Sequence, residues 1–245
     1  MQWQEEAIVL ATRRHGETSV IVEAMTRRRG RHLGIVRGGR SRRMRPVLQP
    51  GNHVALTWRA RLDEHLGNFQ VEPVTERAAR LMASPAASFA VQAIAGHIRL
   101  LPERDPHPRL YEALSAMLDC LDEPRLGAEL MVRFELLLLE EMGFGLDLAQ
   151  CAATGRSEDL VYVSPKSGRA VSRQAGAAYD NRMLRLPPFL LERPAQLPPG
   201  RMALDEGFRL AAYFLERRVL EPRGLALAPA REAYIRAALK AVEPA

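Results

Sequence analysis

The residues of this sequence best placed to do chemistry are the arginines of segment 27–45, RRRGRHLGIVRGGRSRRMR, and the chemistry is neutralisation of an anion. Nine fall within it: Arg27, Arg28, Arg29, Arg31, Arg37, Arg40, Arg42, Arg43 and Arg45. Arg59 and Arg61 follow, and no Asp or Glu occurs between Ala24 and Leu62. Like charges crowded in this way repel one another unless a polyanion lies over them. A phosphate-binding surface for nucleic acid is expected, the alternatives being a solvated basic loop or a protein–protein patch. Trp58, close to the arginines in sequence, is a candidate base-stacking residue and equally a candidate for the barrel core.

The charge is unevenly divided. Residues 1–80 carry 15 Arg against 8 acidic residues, whereas the remainder carries 20 basic against 21 acidic, so the net charge of +6 belongs to the N-terminal third. A preference for Arg over Lys explains the residue type but not the missing acids. Catalytic patterns are absent: the six His are scattered, and there is no P-loop, no G-x-S-x-G and no H-x-x-x-H. Asp63, Glu64 and His65 read as a polar turn rather than a metal site. A nuclease needs clustered acids beside its basic groove, and that stretch has none. No enzyme activity and no cofactor are expected. The two cysteines, Cys120 and Cys151, point to a reducing cytoplasm and to buried small side chains rather than a disulfide. The start, MQWQEEAIVL, lacks the basic and apolar regions of a signal peptide, and apolar runs of about five residues fall far short of the ~20 of a membrane span, so no membrane role is expected.

Five short runs rich in Val, Ile and Leu predict strands at Ala7–Leu10, Val20–Met25, His32–Val36, Val54–Ala60 and Asn68–Val74, with turn residues between them. Five strands in this space fit a small closed barrel, and the OB-fold is the five-stranded architecture that binds oligonucleotides. Gly30 suits a hairpin turn. Gly38 and Gly39 would let the backbone approach a phosphate, or serve as turn glycines. Helical periodicity follows at Ala86–Leu101, Leu110–Leu121, Leu126–Met142, Ala203–Leu220 and Ala230–Val242, with Pro108, Pro124 and Pro229 at helix starts. The third of these is expected to bury Leu130, Phe134, Leu137, Leu138 and Glu141. The fold class is thus α+β, with an OB-fold domain at 1–80 and an all-helical domain at 81–245. The latter is interrupted at 145–181 by a hairpin of the kind seen in zinc ribbons. The stretch 186–200, with five prolines, is expected to be extended.

The blocks HGETSVIVEAMTRRRGRHLGIVRGGRS with LQPG (15–41 and 48–51), and EEMGFGLDLAQCAATG with VYVSPKSGRAVSRQAG (140–155 and 161–176), resemble the RecO family of bacterial recombination and repair proteins. The resemblance covers nearly the whole chain. It implies an OB domain and a helical domain with a small zinc-ribbon-like insert. It also implies binding of single- and double-stranded DNA, annealing of strands coated by single-stranded-DNA-binding protein and, with RecR, loading of RecA, all in the cytoplasm at the nucleoid. Many members carry two C-x-x-C pairs in the insert, whose positions fall here on Cys151, Thr154, Ser172 and Ala175. One thiol, two hydroxyls and a methyl do not make a tetrahedral zinc site, so the hairpin is expected to stand without metal, packed by Leu160, Tyr162, Val163 and Val171. For the acidic, apolar-tipped C-terminal tail of the single-strand-binding protein, the candidate contacts are Arg133 and Phe134 on one helix and Arg209, Arg217 and Arg218 on another. An OB-fold protein acting on RNA or at the ribosome is the alternative reading.

Overall fold

Alternating side chains close the first 75 residues into a barrel in the computed structural model, which describes residues 1–191 and 198–242. The strands are β1 (Gln2–His15), β2 (Ser19–Thr26) and β3 (Gly30–Val36), then, after the single-turn helix α1 (Met44–Val47), β4 (His53–Arg59) and β5 (Asn68–Thr75). Their order around the barrel is β1-β2-β3-β5-β4, with only the β3–β5 contact parallel, as in an OB-fold. β1 is longer than its apolar stretch. Its first half pairs with β4 and its second with β2, so polar residues on both flanks are drawn into ladders, with a register shift between Val9 and Ala11 that bends the strand between its two partners.

Inward positions of every strand fill the barrel: Trp3, Val9, Val22, Val36, Leu56, Trp58 and Phe69 are among them. Trp3 and Trp58 stack at 5.8 Å, and His32 sits edge-on to both at 5.2 and 5.3 Å. Burial therefore holds His32 well below the usual imidazole pKa, at about 4, although its Nδ1 contact with the Leu33 carbonyl pulls the other way. Gly30 turns the β2–β3 hairpin with φ +61°, and a Cβ there would meet the Asp105 carbonyl oxygen at 1.8 Å.

Three helices, α2 (Ala78–Ala83), α3 (Pro85–Ile98) and α4 (Pro108–Leu118), belong with the barrel in one unit, Met1–Asp122. Polar side chains fasten them to it. Asn52 donates to the Pro46 and Val47 carbonyls and accepts from the Ala78 N–H. Arg77 grips Asp119 through two hydrogen bonds, at 2.6 and 3.1 Å, and these hold the Asp119 carboxyl below its ordinary pKa. Arg99, just beyond α3, reaches Glu23 of β2. The expected boundary after residue 80 thus falls inside this unit.

The second unit, Glu123–Ala245, is built on α5 (Pro124–Glu141). It continues with β6 (Leu160–Val163), β7 (Ala170–Ser172), the short α6 (Arg173–Gly176) and β8 (Leu184–Arg185). The last helices are α7 (Arg201–Phe214), running on as a π-helical turn over Leu215–Leu220, and α8 (Pro229–Ala241). The buried face of α5 differs from the expected one: Met131, Val132, Phe134, Glu135, Leu138 and Leu139 face inward, whereas Leu130, Leu137 and Glu141 are half-buried. The displacement has a cause. Glu135 is fully buried and receives Arg231 of α8 bidentately, at 2.6 and 2.8 Å, while the same guanidinium donates to the Phe208 carbonyl of α7 at 2.9 Å. One ion pair thereby joins three helices.

The insert forms a three-stranded sheet, β7-β6-β8, with Leu160, Tyr162, Val163 and Val171 buried. Cys151 is buried beside it. Its Sγ lies 3.5 Å from Ser172 Oγ and accepts the Ser172 N–H at 3.3 Å. Burial raises the thiol pKa, but the Ser172 and Thr154 hydroxyls and two backbone N–H groups outweigh it and bring it down to about 6. The donor set is a thiol and hydroxyls, which does not fit zinc, and no group of three His, Cys, Asp or Glu able to hold a metal occurs among the described residues. Part of the proline-rich stretch expected to be extended, 192–197, lies outside the described residues. Pro188–Leu190 before it form a short helical turn with Phe189 and Leu190 buried.

Two outcomes are expected. The unfolded chain binds a proton at His32 near pH 6.5 and the folded chain only near 4, so this contribution is complete above pH 6.5 and shrinks as pH falls towards 4. It should amount to about 2 kcal/mol lost between pH 7 and pH 5, an increment absent in His32→Phe, in urea unfolding followed by the fluorescence of Trp3 and Trp58. Glu135→Ala, which leaves Arg231 buried and unpaired, should cost about 3–5 kcal/mol, whereas Glu135→Leu combined with Arg231→Met should cost much less, as read by thermal unfolding.

Candidate nucleic-acid interface

The β2–β3 hairpin decides where the arginines go. Its register runs from Thr26↔Gly30 at the turn to Val20↔Val36 at the open end, six residues or roughly 20 Å. Arg27, Arg28 and Arg29 occupy the turn, whereas Arg37, Arg40, Arg42, Arg43 and Arg45 follow the open end. The nine arginines do not form the single surface that their crowding in sequence predicts.

The turn group is largely matched by the unit's own carboxylates. Arg27 pairs with Glu112 at 2.6 Å. Arg28 lies 3.5 Å from Glu5, which also accepts its backbone N–H at 2.7 Å. Arg29 has no carboxylate partner among the described residues but covers the Trp3 ring at 5.1 Å. Arg31, inside β3, is mostly buried and bound to Glu23 at 3.1 Å, on the carboxylate that Arg99 also holds.

The open-end group is different. Arg37, Arg40, Arg42, Arg43 and Arg45 are exposed, and none makes an ion pair among the described residues. The segment carrying them is bound to the β1–β2 turn. The Arg40 backbone N–H donates to the Thr18 carbonyl at 3.0 Å, and its guanidinium donates to the Glu17 carbonyl. Gly38 adopts φ +67°, and a Cβ on Gly39 would approach Val20 Cγ2 to 2.5 Å, so these glycines serve the turn and its packing. Ser41 Oγ accepts the Met44 N–H at the start of α1, and Val47 and Leu48 enter the barrel core. Arg37 alone is steadied by another strand, donating to Asn68 Oδ1 at 3.2 Å.

This arrangement brings in one residue that the acid-free run does not contain. Arg14 pairs with Val20, and Val20 with Val36, so Arg14 lies abreast of the residue preceding Arg37. Arg13 and Arg14 are both exposed, but Arg13 lines a separate cleft with Glu23, Arg31 and Arg99. Arg14, Arg40 and Arg45 line one cleft together with Thr12, Leu48 and Gln49. The signal was in the sequence as an Arg pair three residues before Glu17, visible once the hairpin turn is set at Gly16.

Trp58 is corrected. It is 0% exposed, stacked on Trp3, with its indole N–H donating to the Leu66 carbonyl at 3.0 Å, so it belongs to the barrel core and offers no face to a base. The other two aromatics of the first eighty residues, Trp3 and Phe69, are also buried. Phe134 is likewise corrected: at 2% exposure it faces the interior of the α5 packing and cannot receive the tip of a peptide. The four arginines named with it are exposed and locally engaged. Arg133 binds Glu129 and the Phe189 carbonyl, Arg209 binds Asp205, Arg217 binds Glu221, and Arg218 donates to the Lys166 carbonyl. No helix among the described residues is long and apolar enough to cross a membrane.

Comparison with known proteins divides the chain earlier than its two compact units, between residues 77 and 87. Residues 1–77 match the family described as Recombination protein O N terminal, and residues 87–225 match Recombination protein O C terminal. The chain is 61% identical to the DNA repair protein RecO of Rhizobium etli, over 100% of this chain and 95% of the relative. It is 57% identical to the DNA repair protein RecO of Sinorhizobium medicae, over 100% and 98%. With that of Mesorhizobium japonicum it shares 58% identity over 98% and 94%. Both halves match in order and the relatives align almost end to end, so the chain belongs to the RecO family of DNA repair proteins.

Proposed function

We propose that this chain binds single- and double-stranded DNA through the barrel end that carries Arg14, Arg37, Arg40, Arg42, Arg43 and Arg45. The reading extends to annealing of complementary strands coated by single-stranded-DNA-binding protein and, together with RecR, to loading of RecA, in the cytoplasm at the nucleoid. It rests above all on one observation: these guanidiniums are exposed and have no carboxylate partner among the described residues, whereas those at the other end of the β2–β3 hairpin mostly do. Phosphates supply the missing counter-charge. The chain acts here as a mediator, neutralising backbones without a catalytic step. The exposed Arg133, Arg209, Arg217 and Arg218 are the proposed contacts for the acidic tail of the single-strand-binding protein, through charge rather than through Phe134.

If about six arginines meet phosphates, the logarithm of affinity should fall with the logarithm of salt at a slope of roughly −4 on single strands and −5 on duplex. Arg42→Ala with Arg43→Ala should flatten the single-strand slope by roughly 1.4 units, while Arg28→Ala, already paired with Glu5, should change it little. Equal effects at the two ends, measured by fluorescence anisotropy over a salt series, would count against this assignment, and a preference for RNA would favour the ribosomal alternative. Annealing of oligonucleotides precoated with the cognate single-strand-binding protein should slow severalfold when that protein lacks its acidic tail. Reversing Arg209 and Arg217 to Glu should have the same effect, and rates independent of the tail would remove the partner role.

A further inference from the structure

The cleft between Arg14, Arg40 and Arg45 has the chemistry for one particular phosphate. It encloses about 230 Å³ and draws cations from two separate stretches of chain, β1 and the segment after β3. Its remaining lining is Thr12, Gln49, Leu48, Val20 and Gly39, with no acidic side chain. Three guanidiniums sharing a small cleft repel one another, and the repulsion falls most when the ligand brings more than one negative charge.

An internal phosphodiester brings one charge and two unbridged oxygens. A terminal phosphate monoester brings about −1.5 to −2 and three acceptor oxygens, which three arginine forks can share. The floor is set before any ligand arrives. Arg40 is fixed by the Glu17 and Thr18 carbonyls, the Gln49 side-chain amide donates to the Arg45 carbonyl at 2.9 Å, and Gly39 lies flush against Val20. Arg14 and Arg45 make no ion pair among the described residues, so their donors remain available. On one side the cleft is backed by Val20 and Leu48, both buried in the barrel core, which suits a group at which a strand ends. Arg42 and Arg43, in the chain between Arg40 and Arg45, are exposed.

We propose that this pocket seats the terminal phosphate monoester of a DNA strand, so that the protein distinguishes phosphorylated strand ends from internal backbone. The proposal rests on the DNA-binding reading above and adds a specificity to it. It is tested by anisotropy at low salt with one short single-stranded sequence carrying a 5′-phosphate, a 3′-phosphate or hydroxyls at both ends. A hydroxyl-ended strand one nucleotide longer controls for added charge. One phosphorylated form should bind about tenfold more tightly than both hydroxyl-ended strands, and which one identifies the end that is read. Arg14→Ala and Arg45→Ala should each weaken the preferred phosphorylated strand severalfold more than the hydroxyl-ended strands, which lose one backbone contact, and so erase most of that preference, with circular dichroism confirming the fold. Equal binding of all four strands, or a preference that survives both substitutions, would overturn the pocket and leave DNA binding standing. Absence of binding to every strand would remove both.

Discussion

The candidate interface depends on how the chain after β3 is fastened to the turn between β1 and β2. Two hydrogen bonds from Arg40, to the Glu17 and Thr18 carbonyls, hold one end, and the burial of Val47 and Leu48 in the barrel core holds the other. Between these anchors the segment has few places to put its side chains. Arg42, Arg43 and Arg45 point to solvent because the apolar positions that can enter the core are occupied by Val47 and Leu48. A loop held at both ends has already given up most of its backbone freedom, so ordering it on a ligand costs little.

Charge then sorts the two ends of the hairpin. Glu23 lies largely buried in β2 and serves both Arg31 and Arg99, which makes it a structural link between the barrel and the chain beyond α3. The pairs of Arg27 with Glu112 and Arg28 with Glu5 are more open to solvent. Both partners of the first are more than half exposed, so it contributes at most about 1 kcal/mol and is screened by salt. These arginines sit near their own counter-ions and gain little from a phosphate. The arginines at the open end have no carboxylate partner among the described residues, and for them the binding of phosphate releases condensed counterions from the DNA. Composition places both groups in one basic run; the difference lies in which acids fold beside them.

How far the sequence can be read follows from the range of the forces involved. The strands of the barrel follow from local alternation and from turn residues such as Gly30, and three of the helix starts follow from Pro108, Pro124 and Pro229. The sorting of the arginines was not legible, because Glu5 and Glu112 reach Arg28 and Arg27 across distances in sequence that no window spans, and Glu23 meets Arg31 only through the pairing of β2 with β3. Arg14 was hidden for a related reason: it stands outside the acid-free run and joins it only through the registers Arg14↔Val20 and Val20↔Val36. On α5 the apolar stripe predicted the wrong facing by about one residue. A glutamate reads as a surface residue until its partner Arg231, 96 positions away, is known. Trp58 was undecided between base and core, and the answer lay in its cross-strand partner Trp3.

The burial of all three aromatics of the first eighty residues bears directly on annealing. Proteins that hold single strands by stacking bases on aromatic rings keep those bases occupied and must release them before pairing. A surface of arginines without an exposed ring addresses backbones alone, and contacts to phosphate position a strand without reading or covering its base edges. Two complementary strands brought to such a surface lose much of their mutual repulsion while their bases stay free to pair. The duplex that forms then presents a denser line of phosphates than either strand. A purely electrostatic surface therefore holds its product at least as well as its substrates at low salt, and release of the annealed duplex depends on ionic strength or on the partner proteins that follow.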